Sequence, residues 1–143
     1  MVNKPRERTI KVKAVGTPNT CNVTFTVDAS DLKFKNKING VGHPGYIVYF
    51  DLDETSGLDC KFHEPDPMWV EPIAPGQSAC PSSPCSWDQF RTIDVINGGK
   101  TLMVRNENDY EHDFAFTLRF DVAGCTRVLE CDPIGNNENG QQN

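Results

Sequence analysis

Phe114, Phe116, Leu118 and Phe120 alternate with Ala115, Thr117, Arg119 and Asp121 in an unbroken period of two. In an extended chain that pattern sends four large apolar side chains to one face and small or charged ones to the other. Val122-Ala123-Gly124 supplies a turn, and residues 126–131 are expected to run back as a second strand. Residues 112–132 therefore read as a half-buried antiparallel hairpin. They specify structure and bring no chemistry with them.

The remainder of the chain repeats the theme. Residues 9–15 alternate Ile10, Val12 and Ala14 with Thr9, Lys11 and Lys13; after Gly16-Thr17-Pro18-Asn19, residues 22–28 return with Val23, Phe25 and Val27 inward. A weaker strand is expected over 32–38. Residues 46–52 (YIVYFDL) are apolar on both faces, as in a central strand, and 53–67 read as a loop. A short strand over 68–70 precedes a Pro/Ser/Cys-rich excursion over 71–88. Residues 90–96 and 100–106 form a hairpin around Asn97-Gly98-Gly99, and no stretch shows a helical stripe. The expected fold is all-β, an antiparallel two-sheet β-sandwich of about eight or nine strands with immunoglobulin-like or cupredoxin-like architecture. Its expected boundaries are a basic arm over 1–8, one domain over 9–134 and a disordered polar tail over 135–143.

Length and charge narrow the function classes. A chain of 143 residues buries roughly two thirds of its unfolded surface and folds without a staple. No apolar run is long enough to span a membrane, and the basic start lacks the apolar segment of a secretory leader. The expected location is the cytoplasm. Residues 1–40 hold eight Lys and Arg against three acids, whereas 41–143 hold six against seventeen. Lys33, Lys35 and Lys37 alternate with apolar residues as on a strand edge protected from aggregation, so nucleic acid is not expected as a partner.

The cysteines are the first place to look for chemistry. Cys21, Cys60, Cys80, Cys85, Cys125 and Cys131 are expected to be mostly free, buried thiols in a reducing compartment. If 126–131 is extended, Cys125 and Cys131 stand about 20 Å apart, beyond the roughly 7 Å reach of a disulfide. Cys80 and Cys85 flank Pro81-Ser82-Ser83-Pro84 and form the one specific disulfide candidate. The same residues suggest a closed zinc site, since Cys60-x2-His63 and Cys80-x4-Cys85 together offer three sulfurs and one nitrogen. A blue-copper centre is not expected: His43, His63 and His112 are present, but neither His nor Met follows Cys125. Glu64, Asp66 and Glu71 cluster around Met68-Trp69 as a carboxylate set of the kind that hydrolyses glycosides. Residues 51–57 and 106–113 are oxygen-rich without the spacing of a calcium loop. Asn22-Val23-Thr24 fits a glycosylation sequon by chance. No cofactor is expected.

The order YIVYFDL, a prolonged acidic loop, DPMWVEP, FRTIDVINGGKTLMVRNEND, FAFTLRF and a terminal Asp132-Pro133-Ile134 resembles small bacterial proteins of the DP-EP family over residues 45–137. Asp66-Pro67 and Glu71-Pro72 are consistent with that label, while Cys80 and Cys85 depart from the pattern. The resemblance implies a compact β-sandwich and carries over no catalytic residue.

The function these readings favour is a non-catalytic β-sandwich module that binds a protein or other partner through its loops. Met68, Trp69 and Trp87 are its candidate contact surface. A zinc-stabilised or thiol-redox-responsive protein using Cys60, His63, Cys80 and Cys85 is the alternative, and a small carboxylate-dependent hydrolase the second. Oligomeric state and ligand are left open by the sequence.

Overall fold

A computed structural model describes residues 6–35, 45–55, 57–73, 84–107, 112–131 and 134–138. The chain is all-β, with two sheets and two short 3-10 turns among the described residues. Strands β1 (Arg6–Gly16) and β2 (Val23–Val27) form the opening hairpin, with Ile10, Val12 and Ala14 fully buried as the alternation requires. A 3-10 turn, η1 (Ala29–Leu32), is capped by Asp28, whose carboxylate accepts from the Ser30 N–H at 3.0 Å. It leads into β3 (Lys33–Lys35), and then β4 (Tyr46–Glu54) re-enters beside β1.

The strands that follow are β5 (Cys60–Phe62), β6 (Met68–Ile73), β7 (Phe90–Ile96) and β8 (Thr101–Asn106). The second 3-10 turn, η2 (Asn97–Gly99), joins β7 to β8; Asn97, Gly98 and Gly99 have φ of 56°, 67° and 93°, the left-handed turn that Asn-Gly-Gly favours. The last strands are β9 (His112–Val122), β10 (Leu129–Cys131) and β11 (Ile134–Glu138). One sheet runs β2-β1-β4-β8-β7; the other runs β10-β9-β11-β3, with β5 and β6 on the free side of β9. β4 is central, between β1 and β8, as its two apolar faces demand.

Two pairings depart from the expected antiparallel pattern. β1 and β4 run parallel from Arg6↔Tyr46 to Ala14↔Glu54, and β11 and β3 run parallel at the edge of the other sheet. The cause is the crossover after β2: η1 and β3 carry the chain to the second sheet, so that β4 returns in the direction of β1. Parallel neighbours need such a crossover. The strand number also exceeds the expectation, because the partners of β9 are split. β5 and β6 share one of its sides, β10 and β11 the other. β1 begins at Arg6, and β11 runs from Ile134, the last residue of the expected domain, to Glu138.

Rings from both sheets meet in one core. Phe25 of β2 stacks on Phe120 of β9 with centroids 4.0 Å apart, Phe50 of β4 meets Phe116 edge-on at 5.6 Å, and Phe90 of β7 lies 4.7 Å from Phe114. Phe114, Phe116, Leu118 and Phe120 of β9 are fully buried. At one corner the Arg8 guanidinium lies over Phe34 at 4.7 Å and over Tyr46 at 5.0 Å, and it donates to the carbonyls of Asp31 and Lys33. An arginine of β1 thereby holds η1 and β3 against the first sheet.

At the other end a disulfide joins Cys21 to Cys125 with Cα atoms 4.8 Å apart, where free thiols were expected. It links the β1–β2 turn to the turn after β9. The two turns press together so closely that a Cβ on Gly124 would lie 2.4 Å from the Asn19 backbone. No helix among the described residues is long and apolar enough to cross a membrane.

Candidate functional site

The inward and outward faces of β6 follow from its register on β9. Met68 and Val70 stand opposite Leu118 and Phe116 and point into the core, so Trp69, opposite Thr117, points out of it. Between β5 and β6 the ladder is interrupted. Phe62 faces Phe120 and Met68 faces Leu118, which leaves residues 63–67 opposite Arg119 alone. Such a bulge sacrifices ladder bonds to re-aim side chains. Here both backbone groups of Arg119 are recovered: its C=O accepts from the His63 N–H at 2.9 Å and its N–H donates to the Pro67 C=O at 2.8 Å.

The bulge contains a cis Glu64–Pro65 bond, and Asp66 sits at φ 70°, a left-handed position that Asp tolerates better than most residues. The Asp66 carboxylate accepts from the Trp69 indole N–H at 2.7 Å. The Arg119 guanidinium stacks over the indole at 4.2 Å, donates to the Asp66 carbonyl at 3.0 Å and has the Glu130 carboxylate 3.9 Å from Nε. Beside this group the His63 ring nitrogen Nδ1 lies 2.9 Å from Asp121. Trp69 and Arg119 form a half-enclosed floor, while the Asp66, Asp121 and Glu130 carboxylates stay open to solvent at 47, 56 and 39 % exposure. The result is an ordered, predominantly acidic patch on the outer face of the second sheet.

The other candidate residues are placed as follows. Met68 and Trp87 are core residues, with Trp87 5.8 Å from Phe90 and 6.2 Å from Phe114, and Trp69 is only 7 % exposed beneath Arg119. The expected contact surface of Met68, Trp69 and Trp87 is thus buried in the protein itself. The mixture of an inward Met68 with an outward Trp69 follows from register.

The zinc candidates are not brought together. Cys60 is fully buried opposite Val122, whereas Cys85 donates its S–H to the carbonyl of Val70, opposite Phe116. Six positions along β9 correspond to about 20 Å, too far for two thiolates to share one zinc ion. His63 is turned to Asp121, and Cys80 lies outside the described residues. Cys85 has a free thiol, not half of the expected Cys80–Cys85 bridge. No group of three metal-ligating side chains occurs among the described residues.

Burial pushes the Cys60 thiol up to about 12, reinforced by the Glu54 carboxylate. Burial also raises Cys85, with Glu71 adding to it. Both cysteines are therefore poor nucleophiles at neutral pH. Of the carboxylates proposed for hydrolysis, Asp66 is committed to Trp69, Glu64 is exposed, and Glu71 is half-buried opposite Ala115. The two residues that organise the patch, Arg119 and Asp121, were not singled out from the sequence. Their signal was present in the β9 alternation, where the outward residues change from small to charged at position 119.

Comparison with protein-family models and with curated proteins finds no match to this chain.

Proposed function

We propose that the chain is a non-catalytic β-sandwich module, similar to the DP-EP proteins, that binds a protein partner through its loops and presents residues 63–67 as the contact. The single observation carrying this reading is the bulge itself. Five residues oppose one, the backbone is pinned at both ends, and the carboxylates of Asp66 and Asp121 are held in place yet open to solvent. Loops fixed on a rigid sheet are where recognition usually resides. The acidity of the patch favours a basic partner surface.

The test uses Glu64→Lys with Asp121→Lys, neither of which is buried. The double variant is expected to melt within a few degrees of the parent and to lose a partner that the parent retains from extracts of its source cell. A partner retained equally by both proteins rejects the bulge as the contact.

The Cys21–Cys125 bridge bears on the compartment. A bridge between positions 104 residues apart weighs against a reducing cytoplasm and favours an oxidising setting. Acid-quenched alkylation in the source cell should find Cys21 and Cys125 protected; rapid labelling of both returns the protein to the cytoplasm.

A further inference from the structure

Asn22-Val23-Thr24 is the one Asn-x-Ser/Thr triplet of the chain, with no proline between the amide and the hydroxyl. In the sequence alone it reads as coincidence. The structure places it where the β1–β2 turn enters β2. The Thr17 N–H donates to the Asn22 carbonyl at 3.0 Å, the Asn22 N–H donates to the Thr20 hydroxyl at 3.0 Å, and the Val23 N–H donates to the Cys21 carbonyl at 3.0 Å. Asn22 thus stands at the apex of a three-residue turn of the kind common at strand ends. Its backbone groups are engaged, whereas its side-chain amide makes no hydrogen bond among the described residues. Both Asn22 and Thr24 are exposed.

The surroundings of the triplet change its meaning. The residue before the amide is Cys21, bridged to Cys125. Disulfides persist in the oxidising compartments through which exported chains pass, and an Asn-x-Ser/Thr triplet on the surface of such a chain is a place where sugar is attached. The bridge partner lies 104 positions further on, so the triplet stays in an open segment while the intervening chain is being made. Beside it is Val15, which faces Thr24 across the β1–β2 ladder and is 59 % exposed. A sugar on Asn22 therefore has an apolar neighbour to cover and displaces nothing from the core.

We propose that Asn22 is the acceptor for an N-linked glycan. Its Nδ2 bonds to the anomeric carbon of an oligosaccharide carried on a lipid pyrophosphate. The bond from that carbon to the pyrophosphate oxygen breaks, the lipid pyrophosphate leaves, and Nδ2 gives up one proton. Thr24 supplies the hydroxyl that the transferring enzyme requires two residues beyond the acceptor. The glycan stands at the bridged end of the sheets, beside the edge strand β2, whose outer side pairs with no strand of the described residues, and shields that edge from other chains. The proposal rests on the oxidising compartment argued above from the Cys21–Cys125 bridge.

The experiment uses the full chain isolated from its source cell. Peptide mapping by mass spectrometry is expected to find the segment containing Asn22 heavier by an oligosaccharide. Release by an amide-cleaving glycosidase in heavy-oxygen water should leave a labelled aspartate in place of Asn22. In the same cell, Asn22→Gln and Thr24→Ala should each lose the added mass completely, while Thr24→Ser, which keeps the hydroxyl, should retain it. Both positions are exposed, so the circular dichroism spectrum should be kept in every variant. A non-reduced digest of the same preparation reports the bridge. Bare Asn22 beside an intact Cys21–Cys125 bridge overturns the acceptor and leaves the compartment standing; bare Asn22 with both cysteines free overturns the two together. Added mass that survives Asn22→Gln also overturns the proposal.

Discussion

Arg8 illustrates how much a single side chain can hold. Its guanidinium covers two aromatic rings and donates to two carbonyls, joining β1 to η1 and β3. Replacing it by alanine removes the ring contacts and two donors together, which should cost about 2–3 kcal/mol in denaturant unfolding. Lysine should recover little of that, since a rounded ammonium can neither stack nor fork. Equal stability of Arg8→Lys and the parent would show that the charge alone matters.

Cys60 makes a different prediction. Its thiol is pushed up to about 12 from an ordinary 9.0. Between those values the folded protein keeps a proton that the unfolded chain releases, so stability should fall as pH rises through that window. Lys100 acts in the same sense. Burial pulls its ammonium down, but the Glu54 and Asp59 carboxylates outweigh burial and hold it above 10.5. Its contribution is complete below the unfolded value and is lost as pH climbs past the folded one. Chemical denaturation across alkaline pH should show both losses, and Cys60→Ala should remove the part beginning near pH 9. An unchanged pH profile in that variant would assign the whole decline to Lys100.

At the scale of elements, what could be read in the sequence was what depends on neighbours in the chain. The β9 alternation, the β1–β2 hairpin, the Asn97-Gly98-Gly99 turn and the central position of β4 each follow from local period or turn chemistry. Sheet membership does not. Nothing within Arg6–Gly16 announces a parallel neighbour 40 positions later, and the polar Ile134–Glu138 segment is a strand because β9 and β3 offer it partners. The candidate site was hidden for the same reason. Asp66 becomes an acceptor for Trp69, and Arg119 its cover, only once β6 is registered on β9. Asp66→Ala should therefore disturb the bulge and strand the indole N–H, costing about 1–3 kcal/mol. Asp66→Asn keeps both an acceptor and tolerance of the left-handed backbone, so most of the stability should persist. Urea melts monitored by the fluorescence of Trp69 and Trp87 distinguish the two; equal loss in both would make charge, not hydrogen bonding, the important property.

At the scale of the whole molecule, the two sheets are fastened at opposite ends by different means. Arg8 and its rings hold one corner, and the Cys21–Cys125 bridge holds the other, close to the Phe25–Phe120 stack. The bridge could not be selected from six cysteines by sequence, because connectivity depends on which turns the fold superposes. Its partners are 104 positions apart, so in the unfolded chain it closes a loop containing most of the protein. The chain-entropy argument gives a closure of that size about 4–5 kcal/mol of stabilisation at 25 °C, comparable with the entire margin of many small domains. Reduction should thus lower the denaturant midpoint substantially, and Cys21→Ser with Cys125→Ser should behave like the reduced parent and cease to respond to reductant. Cys125 packs against the core while only partly buried, and the ring contacts between the sheets do not involve the sulfurs, so the reduced protein should regain its native circular dichroism spectrum in the absence of denaturant. If reduction leaves the midpoint unchanged, the bridge adds nothing to stability, and the Arg8 corner and the shared aromatic core hold the sheets together.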